Sequence, residues 1–129
     1  MEGKVEYHFS IHILFKQDVD LFKLSKKFKL EPYKLTLLKD CKGPNKCAKM
    51  WYRTKDLTDI YTGEKFEKFV LEMKEVFKDL PELLKEFDGS CEFSLVFTEV
   101  HEKPCIHFTE KTIKALDELN ACVDFDFYV

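Results

Sequence analysis

The sequence predicts an α+β fold, a two-layer sandwich in which three helices cover one face of a mixed, mainly antiparallel sheet of about five to six strands. Segments in which apolar residues alternate with polar ones are interleaved with segments of helical period. Each predicted strand has one apolar and one polar face, which favours helices on a single side of the sheet. No linker or internal repeat divides the chain, so residues 1–129 are expected to form a single domain.

The first half of the chain predicts three strands and one helix. Residues 5–15 alternate between apolar and polar side chains, as a strand with one buried face does. Residues 19–28 follow with helical spacing, and either Asp18 or Asp20 is placed to cap that helix. Two short strands are predicted around 33–37 and 49–54, joined by a loop rich in turn-forming residues.

The strongest periodic signal in the chain lies at residues 64–80 and predicts an amphipathic helix. Pro81 has no backbone N–H, so it is expected to kink this helix or to start a separate turn over 82–87. The apolar stripe, expected to pack on the sheet, consists of Phe66, Phe69, Val70, Met73, Val76, Phe77 and Leu80.

Two further strands, a helix and a final strand are predicted in the rest of the chain. Residues 91–98 alternate, and residues 104–108 are expected to pair with them as a hairpin. Thr109 is a plausible N-cap for a third helix. Residues 123–129 alternate again and predict the final strand, with its phenylalanines directed into the core.

The charges are distributed unevenly along the chain, although the net charge is only -3. Residues 1–55 contain 13 basic and 6 acidic side chains, whereas residues 56–129 contain 8 basic and 18 acidic ones. So small a net charge does not by itself indicate nucleic acid or membrane as a partner. The chain has no apolar run long enough to span a bilayer and no secretory signal pattern, so a cytoplasmic protein without membrane association is expected.

The five cysteines do not indicate a disulfide framework, because their number is odd and no secretory signal precedes them. Cys41 and Cys47 have neither the zinc spacing nor the redox spacing, and we expect them to be loop thiols. Cys91 and Cys122 are expected to be small core residues, since reduced cysteine is often fully buried.

No metal site, cofactor or catalytic residue is predicted. His8 and His12 lie four residues apart on a strand, about 13 Å along it, so they cannot bind one metal ion together. Cys105 and His107 share a face of their predicted strand, but no acid or oxyanion-hole motif accompanies them. The chain is therefore expected to be non-enzymatic.

A helix-free sheet face is the candidate binding surface. Asp124, Asp126 and Tyr128 project from the final strand, opposite its apolar residues. If the final strand lies near the first, these side chains join His8 and His12 on one face. Such a face, rich in hydrogen-bonding groups, favours protein binding over acid–base chemistry, for which the sequence implies no further partner.

Two alternatives remain open, and both involve the basic segment at residues 39–55. Basic side chains, Arg53 among them, lie on either side of Trp51 and Tyr52, a pattern that can bind phosphates and stacked bases. No recognised RNA-binding signature accompanies it, so nucleic acid is the weaker alternative. The other is a small-molecule-binding protein or small enzyme with a pocket near Trp51.

The order of these elements resembles a bacterial family catalogued as domain of unknown function 4279. The likeness rests on the helix end at residues 28–32 (FKLEP), the strand that contains Trp51, the long amphipathic helix and the closing residues 124–128 (DFDFY). The family brings no established reaction, cofactor or catalytic residue. The resemblance implies a small bacterial cytosolic module, of the kind that serves as an immunity protein neutralising a toxin. The residues predicted to bind the protein partner are Asp124, Asp126, Tyr128, His8, His12, Trp51 and Arg53.

Overall fold

A six-stranded sheet forms one layer of the structure, a computed structural model that describes residues 4–99, 104 and 106–128. The strand order is β2-β3-β1-β5-β6, and β4 pairs with β1. The β5–β6 pair is parallel and the other pairs are antiparallel. The predicted α+β sandwich with a mixed, mainly antiparallel sheet is confirmed. The strands are β1 (Lys4–Phe15), β2 (Lys34–Thr36), β3 (Ala48–Arg53), β4 (Leu57–Ile60), β5 (Gly89–Glu99) and β6 (Ala121–Phe127).

The second layer contains four helices within the described residues, one more than predicted. They are α1 (Leu21–Phe28), α2 (Gly63–Val76), α3 (Leu80–Glu86) and α4 (Glu110–Glu118). Asp20 and Thr109 cap α1 and α4 by accepting backbone hydrogen bonds through their side chains. Of the helices in this part of the chain, none combines the length and apolar character needed to cross a membrane.

The predicted helix at residues 64–80 is divided between α2 and α3. Phe77 leaves the helical conformation at the end of α2, and Leu80 begins α3 with Pro81 in its first turn. Proline is favoured in a first turn because its missing N–H would have no intrahelical acceptor there. The apolar stripe still faces the sheet, since its members are buried except for the half-buried Val76.

The odd-numbered residues of β1 form the centre of the core. Tyr7, Phe9, Ile11, Ile13 and Phe15 are at most 3% exposed. They pack against the helices together with the inward-facing residues of the neighbouring strands. One side of the sheet is thereby committed to the core, and the even-numbered residues of β1 lie on the other side.

One local prediction is wrong, and two short elements were not predicted. Residues 104 and 106–108 are not in a strand, and Cys105 lies outside the described residues. Residues 104 and 106–108 cannot pair with β5 as a hairpin, because β1 and β6 already pair with the two edges of β5. The strand β4 was not predicted, nor was the short 3-10 helix, Leu38–Asp40, that follows the predicted strand at 33–37.

The edge position of β6 explains further differences. Cys91 is buried, as predicted, but Cys122 is exposed because it lies on the side of β6 that no helix covers. Phe125 and Phe127 point to the helix side yet are 38% and 45% exposed, since β6 has a neighbouring strand on one edge only. Phe127 stacks on Phe97 with 5.1 Å between ring centroids.

Replacing a core aromatic of α2 tests the packing of the two layers. Phe69 lies 5.5 Å from Phe9 and 5.9 Å from Phe93 between ring centroids, so it joins α2 to β1 and β5. Phe69→Ala is expected to lower the free energy of unfolding by about 3–5 kcal/mol, because it empties a buried aromatic site. Urea unfolding measures the change.

The matched control is Phe22→Ala in α1, where the ring is 59% exposed and the expected change is within about 0.5 kcal/mol. Equal urea midpoints for wild type and Phe69→Ala would contradict the packing of α2 on the sheet.

Candidate functional site

The side of the sheet opposite the helices brings six of the seven predicted binding residues onto one surface, the helix-free face. Residues that pair directly across neighbouring strands have side chains on the same face of the sheet. The pairing register therefore identifies the residues of the helix-free face on the strands to either side of β1. His12 pairs with Trp51 on β3 and with Glu92 on β5, and Ser10 pairs with Arg53 on β3. The face consists of Lys34, Thr36, Lys49, Trp51, Arg53, His8, Ser10, His12, Leu14, Glu92, Ser94, Val96, Cys122, Asp124 and Asp126.

The final strand is not adjacent to the first, because β5 lies between β1 and β6. Asp124 and Asp126 pair with Ser94 and Val96 of β5, two strands away from the histidines of β1. Two strand spacings amount to about 10 Å, a distance at which charges still influence one another. Tyr128 follows β6 and is 58% exposed, with its backbone N–H bonded to the carbonyl of Phe97.

Two serines occupy the centre of the helix-free face. Ser10 is 1% exposed and Ser94 is 4% exposed, although none of the helices in the described residues covers them, because larger side chains surround these small ones. The Ser10 hydroxyl lies 3.2 Å from Nε2 of His12, the contact that a serine nucleophile makes with its base. A substrate cannot reach a hydroxyl buried to this extent, so we interpret the pair as structural.

His8 belongs to a charged cluster at the β3 side of the face. Its Nδ1 lies 3.4 Å from Oδ1 of Asp56 but makes no hydrogen bond of good geometry within the described residues. Arg53 forms the shorter ion pair with the same carboxylate, at 2.7 Å, and its guanidinium lies 5.1 Å from the ring centroid of Tyr33. Burial and the nearby Arg53 lower the pKa of His8, and Asp56 opposes them only partly.

Three aromatic rings form a continuous group beside this cluster. Trp51 stacks on His12 with 5.3 Å between ring centroids and an interplanar angle of 17°. Tyr33 meets the same indole edge to face at 4.5 Å, and 61% of Tyr33 is exposed. The indole N–H of Trp51 is buried and has no hydrogen-bond partner among the described residues. The rings give the face a rigid apolar area at its β2–β3 end.

The pKa of His12 is lowered, chiefly by burial of the ring. Asp124 and Asp126 raise the pKa without outweighing this desolvation, and Lys49 lowers it further. The pKa of Glu92 is raised by burial and by the same two aspartates. Within the described residues, no ion pair neutralises these three carboxylates. Uncompensated negative charge therefore collects at the β5–β6 end.

Metal ligands do not converge anywhere in the described part of the chain, where no group of three or more His, Cys, Asp or Glu could hold a metal ion. His107 is exposed in the loop before α4, and its predicted neighbour Cys105 lies outside the described residues. The predicted Cys105 and His107 pair therefore stays untested.

The basic segment at residues 39–55 is divided between two surfaces. Lys49 and Arg53 belong to the helix-free face, whereas Lys39 and Lys46 line a cleft of about 470 Å³ together with Leu38. The even basic stripe that a nucleic-acid backbone would follow is not formed by these residues, since Arg53 is paired with an aspartate.

A second cleft, of about 560 Å³, lies on the helix side of the sheet between α1 and α3. Its lining includes Leu24, Leu83 and Phe87, and it is large enough for a small ligand. Trp51 is on the opposite side of the sheet and lines neither this cleft nor the one near Lys39. The proposed pocket near Trp51 gains no support from these two clefts.

Comparison of the chain with protein-family models, with curated proteins and with solved structures finds no match. The resemblance to domain of unknown function 4279 thus stays a prediction, and the candidate site rests on its own geometry.

Sequence reasoning missed the contribution of β5 to the site. Glu92 and Ser94 alternate with buried residues, so the pattern alone places them on the polar side of their strand. What the pattern lacks is the strand order, which inserts β5 between the predicted histidines and aspartates. Asp56 was missed as well, because it lies in a connection between strands and not in an alternating segment.

The two histidines of the face predict how stability depends on pH. Their pKa values are lowered in the folded chain, so below about pH 6.5 the unfolded chain binds protons that the folded chain does not. Stability is fully present above that pH and is lost as the pH falls. The raised pKa of Glu92 acts in the opposite direction and offsets part of the loss.

Urea unfolding at about pH 7.5 and pH 5.8 measures this loss. The double variant His8→Gln/His12→Gln is expected to lose less stability than wild type between the two values. His107→Gln controls for removal of an exposed imidazole outside the face. An equal loss in wild type and the double variant would show that the face histidines are not its source.

Proposed function

We propose that this chain is a cytoplasmic, non-enzymatic protein-binding module that uses the helix-free face as its binding surface. The observation that carries the proposal is the composition of that face. It combines stacked aromatic rings at one end, three unneutralised carboxylates at the other, and buried hydroxyls between them.

The aromatic end has the composition of a binding hot spot. Tryptophan, tyrosine and arginine are enriched among the residues that dominate protein–protein affinity. Tyr33 contacts both Trp51 and Arg53 here, and it is largely exposed. Their mutual stacking holds the rings in place before a partner arrives, which reduces the entropy cost of binding.

The acidic end indicates the charge of the partner. Glu92, Asp124 and Asp126 lie on neighbouring strands, and a basic surface placed over them would relieve their mutual repulsion. The resemblance described above suggests a bacterial toxin as one such partner, with this chain as its immunity protein. The hypothesis that the partner is a toxin depends on that resemblance, whereas the expected preference for a basic partner surface depends on the three carboxylates.

Affinity capture from a bacterial lysate, followed by mass spectrometry, tests the proposal. The variant Asp124→Asn/Asp126→Asn preserves side-chain size while removing both charges. It is expected to lose the captured protein or to bind it at least about tenfold more weakly, with less dependence on salt than wild type. Titration of the purified partner against both forms of the chain measures the change.

The matched control is Glu75→Gln/Asp117→Asn, which removes the same charge from exposed positions on α2 and α4. It is expected to bind like wild type, because both positions are on the helix layer. Equal losses in the two double variants, or no loss in either, would remove the acidic end of the face from the binding site.

A further inference from the structure

The charged residues of the helix-free face are arranged symmetrically about β1. Lys34 on β2 and Lys49 on β3 lie to one side and form what we call the basic half, whereas Arg53 beside them is already paired with Asp56. Glu92 on β5 and the aspartates of β6 lie to the other side and form the acidic half. β1 is the middle strand of the order β2-β3-β1-β5-β6, so the two halves are equally wide.

Between the two halves, β1 presents side chains that are mostly uncharged at neutral pH. Ser10 and Leu14 carry no charge, and burial lowers the pKa of His8 and His12. No ion pair within the described residues joins the basic half to the acidic half. The face is therefore a dipole that lies across the strands and is not neutralised within one chain.

A dipole of this kind is complementary to itself in one orientation. When a second copy is turned by 180° about an axis parallel to the strands and above β1, its basic half lies over the acidic half of the first copy. An axis across the strands would instead place lysines over lysines. Such a twofold contact is self-complementary, the commonest arrangement of homodimers.

We propose that the occupant of the helix-free face in the free protein is a second copy of this chain, packed face to face about that axis. The inference rests on the proposed function, because it names the partner of the same surface. Lys34 of one copy then reaches toward Asp124 of the other, and Lys49 reaches toward Glu92 of the other. Each contact occurs twice, as the symmetry requires.

The size of the face sets the expected strength of the dimer. Five strands about 4.8 Å apart, paired over about 25 Å of their length, give a surface of roughly 500 Å² per copy. The total of about 1,000 Å² is at the lower limit for a specific interface. We therefore expect a reversible dimer that forms with increasing concentration and dissociates at high salt.

Sedimentation equilibrium of the full chain, with two charge-reversal variants, tests the inference. Lys34→Glu/Lys49→Glu replaces the two contacting lysines by acids, and Glu92→Lys/Asp124→Lys replaces the two contacting acids by lysines. Each variant alone is expected to dimerise at least about 100-fold more weakly than wild type, because like charges face each other. An equimolar mixture of the two is expected to recover dimers, since every reversed pair is then complementary.

The control variant Lys78→Glu/Lys85→Glu reverses two exposed charges on the helix side, after α2 and in α3. It is expected to dimerise like wild type and to gain nothing from mixing with either face variant. Circular dichroism confirms that each variant is folded, and recovery of dimers on mixing shows it independently for the two face variants.

The outcomes separate this inference from the proposed function. A wild type that is monomeric at all concentrations up to about 1 mM and at low salt, where electrostatic contacts are strongest, overturns the inference. So does a dimer that both reversal variants retain. If that monomer still captures a foreign protein that Asp124→Asn/Asp126→Asn loses, the proposed function stands without the inference. If neither a copy nor a foreign protein binds through the face, both fail.

Discussion

The pairing of β1 along both of its edges is the constraint on which the rest of the structure depends. One edge pairs first with β4 and then with β3, and the other pairs with β5 over nearly its whole length. Its odd-numbered side chains are almost completely buried beneath the helices. A slip by one residue would exchange the two faces and bring histidines and serines into the core, so the register is strongly specified.

The same constraint creates the helix-free face. Because the odd positions of β1 are buried in the core, His8, Ser10 and His12 must lie on the opposite side of the sheet. The small side chains of Ser10 and Ser94 are buried at the centre of this face, with larger residues on both sides of them along their strands. Polar groups become buried there without a covering helix, and the His12 contact satisfies part of their hydrogen bonding.

Much of this fold could be predicted from the sequence, because its strands have one apolar face and its helices have one apolar stripe. The period-two alternation of β1, β5 and β6 and the caps of α1 and α4 are local signals, and they predict the correct elements. The same alternation placed the predicted site residues of β1 and β6 on the polar side of their strands. The strand order was not predictable, since it depends on which edges meet in three dimensions, and so the role of Glu92 and Ser94 was missed.

The strand order turns an uneven distribution of charge along the sequence into an uneven distribution of charge across the helix-free face. The basic first 55 residues supply β2 and β3 on one side of β1, and the acidic remainder supplies β5 and β6 on the other. β4 and the connection before it belong to the acidic part but return to the basic side, where Asp56 neutralises Arg53. Folding thus places opposite charges at opposite ends of one face, and no ion pair within the described residues satisfies their attraction. The helix layer stabilises the sheet from one side only, which leaves that attraction available for binding.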